Sequence, residues 1–451
     1  LVQKPASQAL PGRYHDIQDS TNLAQVAWED YFTDPYLSDL IDTALHNNQE
    51  LNIVRQEIEM ARNDIMARKG EYLPFLNIGG AAGVEKVGRY TSQGASDAST
   101  EIQPGKEFPD PLPNVMVGAF ASWELDIWHQ LRHARTSAVN RYLASTEGKN
   151  FMVTNLVAEL ATAYYELLAL DAQLEIVQQN IAIQTNALKI VRQQKDAARV
   201  TELAVRKFEA EVLKNRSLQY AIRQRITETE NAINYLLGRY PQPVNRDART
   251  FTEWTPDSVQ AGIPAQLLRN RPDIRQAERE VAAAKLDVQV AKANFYPSLR
   301  LSAGLGFEAF NPVLLVKAPQ SMLFSLAGDL VAPLVNRNAI KATYLNANAQ
   351  QIQALYHYER SLLGAYVEVV NQLSNVDNLG QSYDLKAQQV RALNQSINIA
   401  TNLFTSARAD YMEVLLTQRD ALEARIELVE TKKQQMNARV DLYRALGGGW
   451  N

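Results

Sequence analysis

Two histidines, His129 and His133, stand four residues apart, the spacing that puts paired metal ligands on one helix face. A zinc hydrolase of that pattern needs a glutamate directly after the first histidine; Gln130 stands there and cannot act as a general base. The chain has no cysteine, which removes thiol catalysis, disulfides and cysteine-ligated metal sites together and is compatible with an oxidising compartment. No glycine-rich phosphate loop leads from a strand into a helix, and Gly447-Gly448-Gly449 follows a helical run and terminates it. The chemistry-bearing residues therefore predict no catalysis, no cofactor and no metal, with the histidine pair at a wet strand-to-helix junction.

Forty-six basic against 50 acidic residues give a net charge of −4, so no basic footprint for nucleic acid is present. A hydrophobic fraction of 46% is enough for a substantial core. No apolar run is long enough for a helical membrane span, and Leu1 to Gly12 lack the basic and apolar regions of a signal peptide. The chain is thus either cytosolic or a processed mature protein.

The elements that must position these residues occur twice. Aligning Leu73-Pro74-Phe75-Leu76 with Tyr296-Pro297-Ser298-Leu299 sets Asn47, Asp64, Gly83 and Glu85 opposite Asn270, Asp287, Gly306 and Glu308 without a gap, and Leu237-Gly238 and Leu446-Gly447 close two further matching stretches. A repeat of roughly 200 residues implies two similar halves joined by a linker. Within each half the period changes at the proline. Leu76, Ile78, Gly80, Ala82 and Val84 alternate with Asn77, Gly79, Ala81, Gly83 and Glu85, and Val115 to Ile127 alternates likewise, which only a strand satisfies. Leu299 to Ala309 and Met322 to Leu330 repeat the hairpin; the first has a long exposed loop, Thr91 to Pro113, the second a shorter one, Asn311 to Gln320.

The remainder reads as long helices. From Val153 to Val191 apolar residues recur at three and four, interrupted in chemistry only at Gln184, which predicts a coiled-coil seam in a helix on the order of 100 Å long. Asn338 to Ser406 is its counterpart, with Leu379, Tyr383, Val390, Leu393 and Ile397 in the seam, and shorter helices follow at Glu202 to Leu237 and Tyr411 to Leu446. The spacing from Ala163-Tyr164 to Arg199 differs by seven residues from that between Ala365-Tyr366 and Arg408, implying either a one-heptad insertion or anchors that are not equivalent. The predicted division is an N-terminal arm at 1–35, first helices at 36–72 and 264–296, hairpins at 73–128 and 297–335, long and short helices at 129–238 and 336–447, and a linker at 239–263.

One-sided apolarity suits a barrel wall whose outer face meets lipid while Glu85, Glu124, Asp126, Arg300, Glu308 and Asp329 face water. A soluble sandwich with one buried face fits the strands equally, and a soluble coiled-coil scaffold with a β subdomain fits the periodicity. The helices favour the barrel, because a sandwich has no use for them. Open sheet edges cannot lie in lipid, so four strands per chain force oligomerisation; three copies give twelve strands.

Leu267-Leu268, Arg271-Pro272-Asp273-Ile274, Ala277-Glu278 and Phe295-Tyr296-Pro297 closely resemble the second-repeat signature of TolC-like outer-membrane efflux proteins, in particular their OprM-like lipoprotein branch. Trp28, Phe32-Thr33-Asp34-Pro35, Leu37, Leu40-Ile41, Ala44-Leu45 and Asn48 look like that branch's N-terminal signature, and Ser122-Trp123-Glu124-Leu125-Asp126 like its first-hairpin exit. The resemblance implies a mixed, mainly helical fold: a homotrimer with an outer-membrane β-barrel of four strands per protomer, continued by a long coiled-coil periplasmic α-barrel with an equatorial region. It further implies an exit duct of a tripartite pump, passing drugs or other small toxic compounds, with a periplasmic adaptor and an inner-membrane transporter, proton-driven, as partners. The exit component of type I protein secretion is the alternative. The branch carries lipid on an N-terminal cysteine; with none here, the expectation is an anchor ahead of Leu1, or one removed.

In such proteins the duct narrows where the second long helix turns into the last short one, here Ala407 to Arg419. Asp410, Met412, Glu413, Leu416 and Arg419 are the gate candidates: Glu413 fills one position where relatives place an acid, Leu416 replaces the other, and Arg419 matches a basic partner. A ring of three carboxylates favours cations, while Met412 and Leu416 close a pore by dewetting. The plainer reading is that Asp410 caps the helix and Glu413 is an ordinary first-turn acid. Arg199, Thr201, Glu202, Arg408 and Tyr411 mark the tips that meet the adaptor or transporter, with Thr201 a plain N-cap in the alternative. Trp123, Trp128, Phe307 and Phe324 are candidates for interfacial aromatic girdles, or ordinary packing residues.

Overall fold

The structure, a computed structural model, describes residues 11–14, 22–247, 251, 254–255, 261–406 and 408–450. Most of the predicted arm, part of the 239–263 linker and Ala407 lie outside the described residues. The described residues divide into two compact units, one within 59–143 and 279–355, the other within 11–58, 144–278 and 356–450.

In the first unit, Phe75–Glu85 (β1), Leu112–Leu125 (β2), Ser298–Ala309 (β3) and Met322–Val331 (β4) form one antiparallel sheet in the order β1-β2-β3-β4. Strand β2 stops at Leu125, two residues short of the predicted alternation. Asp126 is a helix cap, not part of the wall: its carboxylate accepts from the amides of Leu131 at 2.9 Å and Arg132 at 3.0 Å. His129 takes a left-handed backbone at φ 59°, and the helix Gln130–Asp196 (α3) starts behind it. The long hairpin loop carries structure of its own, a helical turn Ser92–Asp97 capped by Thr91 and a small ribbon pairing Glu101–Gln103 with Lys106–Glu107.

The N-terminal helices Pro35–Asn47 (α1) and Gln49–Glu71 (α2) break at Asn48, whose side-chain amide donates to the Leu236 carbonyl while its oxygen accepts from the Leu51 amide. Asp34 and Pro35 begin α1 as N-cap and first helical residue. The same carboxylate accepts the buried Tyr164 hydroxyl at 2.7 Å, which ties α1 to α3. Trp28, Phe32, Leu37, Ile41, Leu160, Tyr164, Leu167 and Tyr443 share the main core of the second unit.

Gln130–Asp196 is 67 residues long and its counterpart Asn338–Thr405 (α6) 68; the shorter Glu202–Leu236 (α4) and Tyr411–Leu446 (α7) are 35 and 36. There is no one-heptad insertion, so Ala163-Tyr164 and Ala365-Tyr366 are not equivalent positions. Helix Pro272–Ala293 (α5) leads into β3. Gly238 and Gly447 both have positive φ and close their helices with the same pair of hydrogen bonds: Gly238 and Arg239 donate to the Tyr235 and Asn234 carbonyls, Gly447 and Gly448 to those of Arg444 and Tyr443. A side chain at Gly238 would stand 2.5 Å from the Asn47 carbonyl oxygen, and one at Gly447 2.6 Å from that of Asn270. The repeat thus extends to which carbonyl each closing glycine meets.

Gln184, the polar break in the apolar seam, is fully buried and accepts from the Asn215 amide at 2.6 Å across α3 and α4. A single buried amide pair in such a seam fixes register, since any slip leaves it unpaired. Replacing Gln184 by Leu leaves the Asn215 amide only its second bond, to the Glu211 carbonyl at 3.0 Å, and is expected to cost about 1 kcal/mol. The double change Gln184→Leu with Asn215→Leu should recover most of that loss, measured as the thermal midpoint of helical circular dichroism in detergent.

Candidate functional site

The register across all four strands separates the sheet into two unlike faces. On one lie Leu76, Ile78 and Val84 of β1, Val115, Val117, Ala119, Ala121 and Trp123 of β2, Leu299 to Phe307 at alternate positions of β3, and Met322, Phe324, Leu326 and Leu330 of β4, with no polar residue among the partners. The other carries Asn77, Glu85, Asn114, Ser122, Glu124, Arg300, Ser302, Glu308, Ser325 and Asp329. Neither face has a core behind it: β1 is exposed along its whole length, with Ile78 at 86%, and Phe324 and Leu326 on β4 are exposed at 79% and 80%. A soluble sandwich buries one face, so the sandwich alternative does not fit this sheet.

Crowding distinguishes the faces further. On the polar face Gly118 and Gly306 sit directly opposite each other, and a Cβ at Gly306 would lie 2.5 Å from the Val117 carbonyl oxygen. A Cβ at Gly118 would lie 2.9 Å from that of Leu305, and the Phe120 ring covers the neighbouring Gly304. Close backbone approach on one face is what a sheet curled toward that face produces, with glycine relieving the corner. The polar face is therefore the concave one. Across it Arg300 stands opposite both Glu124 and Asp329, 3.4 Å from the Glu124 carboxylate, and Asn114 donates to Glu308 at 2.6 Å.

The aromatic candidates divide between the two ends of the strands. Trp123 donates its indole N–H to the Tyr72 carbonyl at 3.0 Å, and Trp128 donates to Pro297 at 2.8 Å while stacking on Tyr296. Phe307 and Phe324 stand on the apolar face toward the hairpin-loop end. His129 and His133 have ring centres 6.2 Å apart, and among the described residues no group of three or more metal-ligating side chains includes them.

At the other end of the helices, α7 lies in the groove of the α3–α4 pair. Leu415 packs with Leu188, Val191, Val205, Phe208 and Val212, and Tyr411 packs against the same cluster. Met412 points toward α4, with the Lys207 ammonium 3.5 Å from its sulfur. Glu413, Leu416 and Arg419 are exposed on α7, and Arg419 pairs with the adjacent Asp420 at 3.1 Å rather than with Glu413. Structure thus groups Glu413, Leu416 and Arg419 and sets Met412 and Tyr411 apart. Thr201 and Asp410 both occupy N-cap positions with extended backbone, yet neither side chain makes the capping hydrogen bond.

Sequence reasoning missed the ion-pair ladder behind the first tip. Glu202 bonds Lys195 at 2.8 Å and Arg206 at 2.9 Å, and Arg206 reaches on to Glu209 at 2.9 Å. The Glu202–Arg206 rung was visible as an i,i+4 pair; Lys195 comes from across the turn. It also missed the buried Arg271, whose guanidinium holds Asp273 at 2.8 and 3.0 Å, Glu368 at 2.7 Å and the Ala445 carbonyl at 2.8 Å. Burial disfavours that charge, but the two carboxylates outweigh it and raise the arginine above its ordinary value.

A sheet that is apolar on its convex face, polar on its concave one and open at both edges, borne by a chain of long paired helices, defines the wall subunit of an outer-membrane β-barrel channel. The chain belongs to the outer membrane efflux protein family, whose model matches residues 40–239 and 263–448. It is 28% identical over 432 residues to the pyoverdine export outer membrane protein OpmQ of Pseudomonas aeruginosa, covering 96% of this chain and 89% of that one. The toluene efflux pump outer membrane protein TtgI of Pseudomonas putida is 27% identical over 453 residues, covering 100% and 93%. Among solved structures, the outer-membrane channel OprN superposes with a TM-score of 0.86 at 24% identity over 100% of this chain and 99% of that one. The open state of the MtrE outer membrane channel of Neisseria gonorrhoeae gives 0.85 at 23% identity, over 99% and 98%.

The Lys195 ammonium, the largest influence, holds the Glu202 carboxyl below its ordinary value. A carboxyl depressed on folding stabilises above its unfolded pKa, and that contribution is lost as pH falls through the lower, folded one. Hydrogen-exchange protection of amides 195–206 should therefore fall on acidification, after correction for intrinsic exchange. Glu202→Gln should remove that pH dependence; an unchanged profile would show that the ladder does not hold the turn.

Proposed function

We propose that three copies of this chain close into one passive exit duct, the outer-membrane stage of a tripartite efflux pump, with no catalysis and no cofactor. The observation that carries this is the unbroken apolar face in register across four strands whose outer edges have no partner among the described residues. Twelve strands from three copies satisfy those edges in lipid, where an unpaired edge is not tolerated. Trp123 and Trp128 would then anchor one interface, and Phe307 and Phe324 the other. Export against a gradient needs an energised partner, so a periplasmic adaptor and a proton-driven inner-membrane transporter complete the pump. Arg199, Thr201, Glu202 and Arg408 are the exposed tip residues that face them, and Tyr411 packs beneath them against the Leu188–Phe208 cluster.

The cargo is drugs or other small toxic compounds. Relatives are named for pyoverdine export and toluene efflux, and the Escherichia coli relative CusC, 26% identical, for cation efflux. Cargoes so unlike each other on one fold support placing selectivity in the transporter rather than in the duct. Glu413, Leu416 and Arg419 form the gate, with Asp410 at the turn that aims them and Met412 fixing α7 against α4.

The protein should require detergent and run as a heat-sensitive oligomer; a monodisperse monomer in plain buffer would sink the barrel. In planar bilayers, Glu413→Ala combined with Arg419→Ala should raise single-channel conductance. Unchanged conductance would remove both residues from the constriction.

A further inference from the structure

Part of α3 has two faces of opposite kind. Val157, Leu160, Ala161 and Tyr164 belong to the main core of the second unit, together with Trp28, Phe32, Val244 and Phe251. Asn155, Glu159, Thr162, Ala163 and Glu166 recur at helical spacing on the other side. That side is the floor of a trough made of two adjoining cavities of about 650 and 840 Å³, which have Asn155, Glu159, Ala163 and Ala232 in common. Its walls come from the same chain. The start of α2 at Asn48 to Glu50 bounds the first cavity, α7 from Asn437 to Arg444 bounds the second, and the end of α4 runs along both.

The two cavities are unlike in chemistry. The first is lined by Phe151, Met152, Leu156 and Tyr235, whose side chain is 74% exposed. The second sets four carboxylates, Glu159, Glu166, Glu228 and Asp441, against one cation, Arg444. Glu166 is taken by Arg225 at 2.5 Å and Lys433 at 2.6 Å, and Asp441 by Arg444 at 3.1 Å. Glu228 accepts from a neutral amide, that of Gln224 at 2.9 Å. Glu159, Glu228 and, at the first cavity, Glu50 pair with no cation among the described residues. The Asn437 carboxamide oxygen, buried in the wall of the second cavity, accepts no hydrogen bond there either.

We propose that this trough binds amphiphilic organic cations, with an aromatic or alkyl body on Phe151, Met152 and Tyr235 and the cationic nitrogen beside Glu159 and Glu50. Drug-sized molecules occupy clefts of about 300–1,000 Å³ with apolar walls and a few polar groups, and both cavities fall in that range. Charge selects the class of ligand. An anion would meet carboxylates with no cation to offset them, and a neutral hydrocarbon would leave them unused. A cation gains from the carboxylates and from the face of the Tyr235 ring together. The inference rests on the exit-duct reading above and gives it a cargo class. Trp28, Phe32, Val244 and Phe251 bring their segments onto the core face of α3, and a passage has no room for them inside, so the trough lines the bore. Glu159 is exposed, so salt screens its attraction and the hold is weak. Cationic cargo pauses on this wall, and other cargo passes it.

The test uses the full chain purified in detergent and sized beforehand, with ethidium as an aromatic cation and fluorescein as an aromatic anion. Fluorescence anisotropy of ethidium should rise to saturation as protein is added, above a detergent blank, and that of fluorescein should not. Glu50→Gln combined with Glu159→Gln keeps the shape of two exposed side chains and should weaken the ethidium Kd about tenfold. Tyr235→Ala should weaken it as well, while Glu175→Gln, an exposed acid of α3 outside the trough, should leave it unchanged. Unchanged affinity in the double variant, or an equal loss in Glu175→Gln, overturns the site and reduces the binding to general attraction by an acidic surface. Material that sizes as a trimer and does not bind ethidium overturns the site and leaves the duct standing. A monomer that binds it through Glu50 and Glu159 keeps the site and overturns the duct.

Discussion

The constraint on which everything else depends is the pair of open edges on a sheet with one wholly apolar face. Water would satisfy the unpaired amides and carbonyls of β1 and β4 but not the surface made by Ile78, Phe324 and Leu326; lipid accepts that surface but not the edges. Only pairing edge to edge with further copies meets both demands. Membrane residence and oligomerisation are thus two sides of one requirement, set by strand count and by which residues alternate.

Beyond the strands, the second unit is held together by polar contacts of its own. Asp34 caps α1 and accepts from Tyr164, and Arg271 gathers Asp273, Glu368 and the last turn of α7 into one buried network. Two carboxylates share the Arg271 cation, so losing either one still leaves it paired, while losing the arginine leaves both carboxylates without it. Asp34 and Arg271, which stand in the stretches that resemble the family, therefore have structural partners. The exposed residues on α7, Glu413, Leu416 and Arg419, carry no comparable packing role.

Much of this architecture was legible in the sequence because it rests on periodicity. A period of two in Leu76 to Val84, a sustained seven-residue seam and a gapless repeat all constrain backbone conformation directly. The errors arose where local chemistry overrode the pattern. Asp126 continues the strand alternation but sits just ahead of a helix whose free amides it satisfies, and Ala163-Tyr164 looks like Ala365-Tyr366 only because alanine and tyrosine recur in apolar seams. Met412 illustrates a different limit: a helix position is readable, but which neighbour it faces depends on how α7 enters the α3–α4 groove. The Lys195–Glu202 rung spans a turn, and nothing in a linear pattern reports that.

The glycine pair at the centre of β2 and β3 has a geometrical meaning. Gly118 and Gly306 let two strands approach on the concave side where any side chain would collide with the opposing main chain. Strand number and shear set the radius of a closed barrel; what these two hydrogens supply is the freedom to bend to it, at positions that no transported molecule needs to touch.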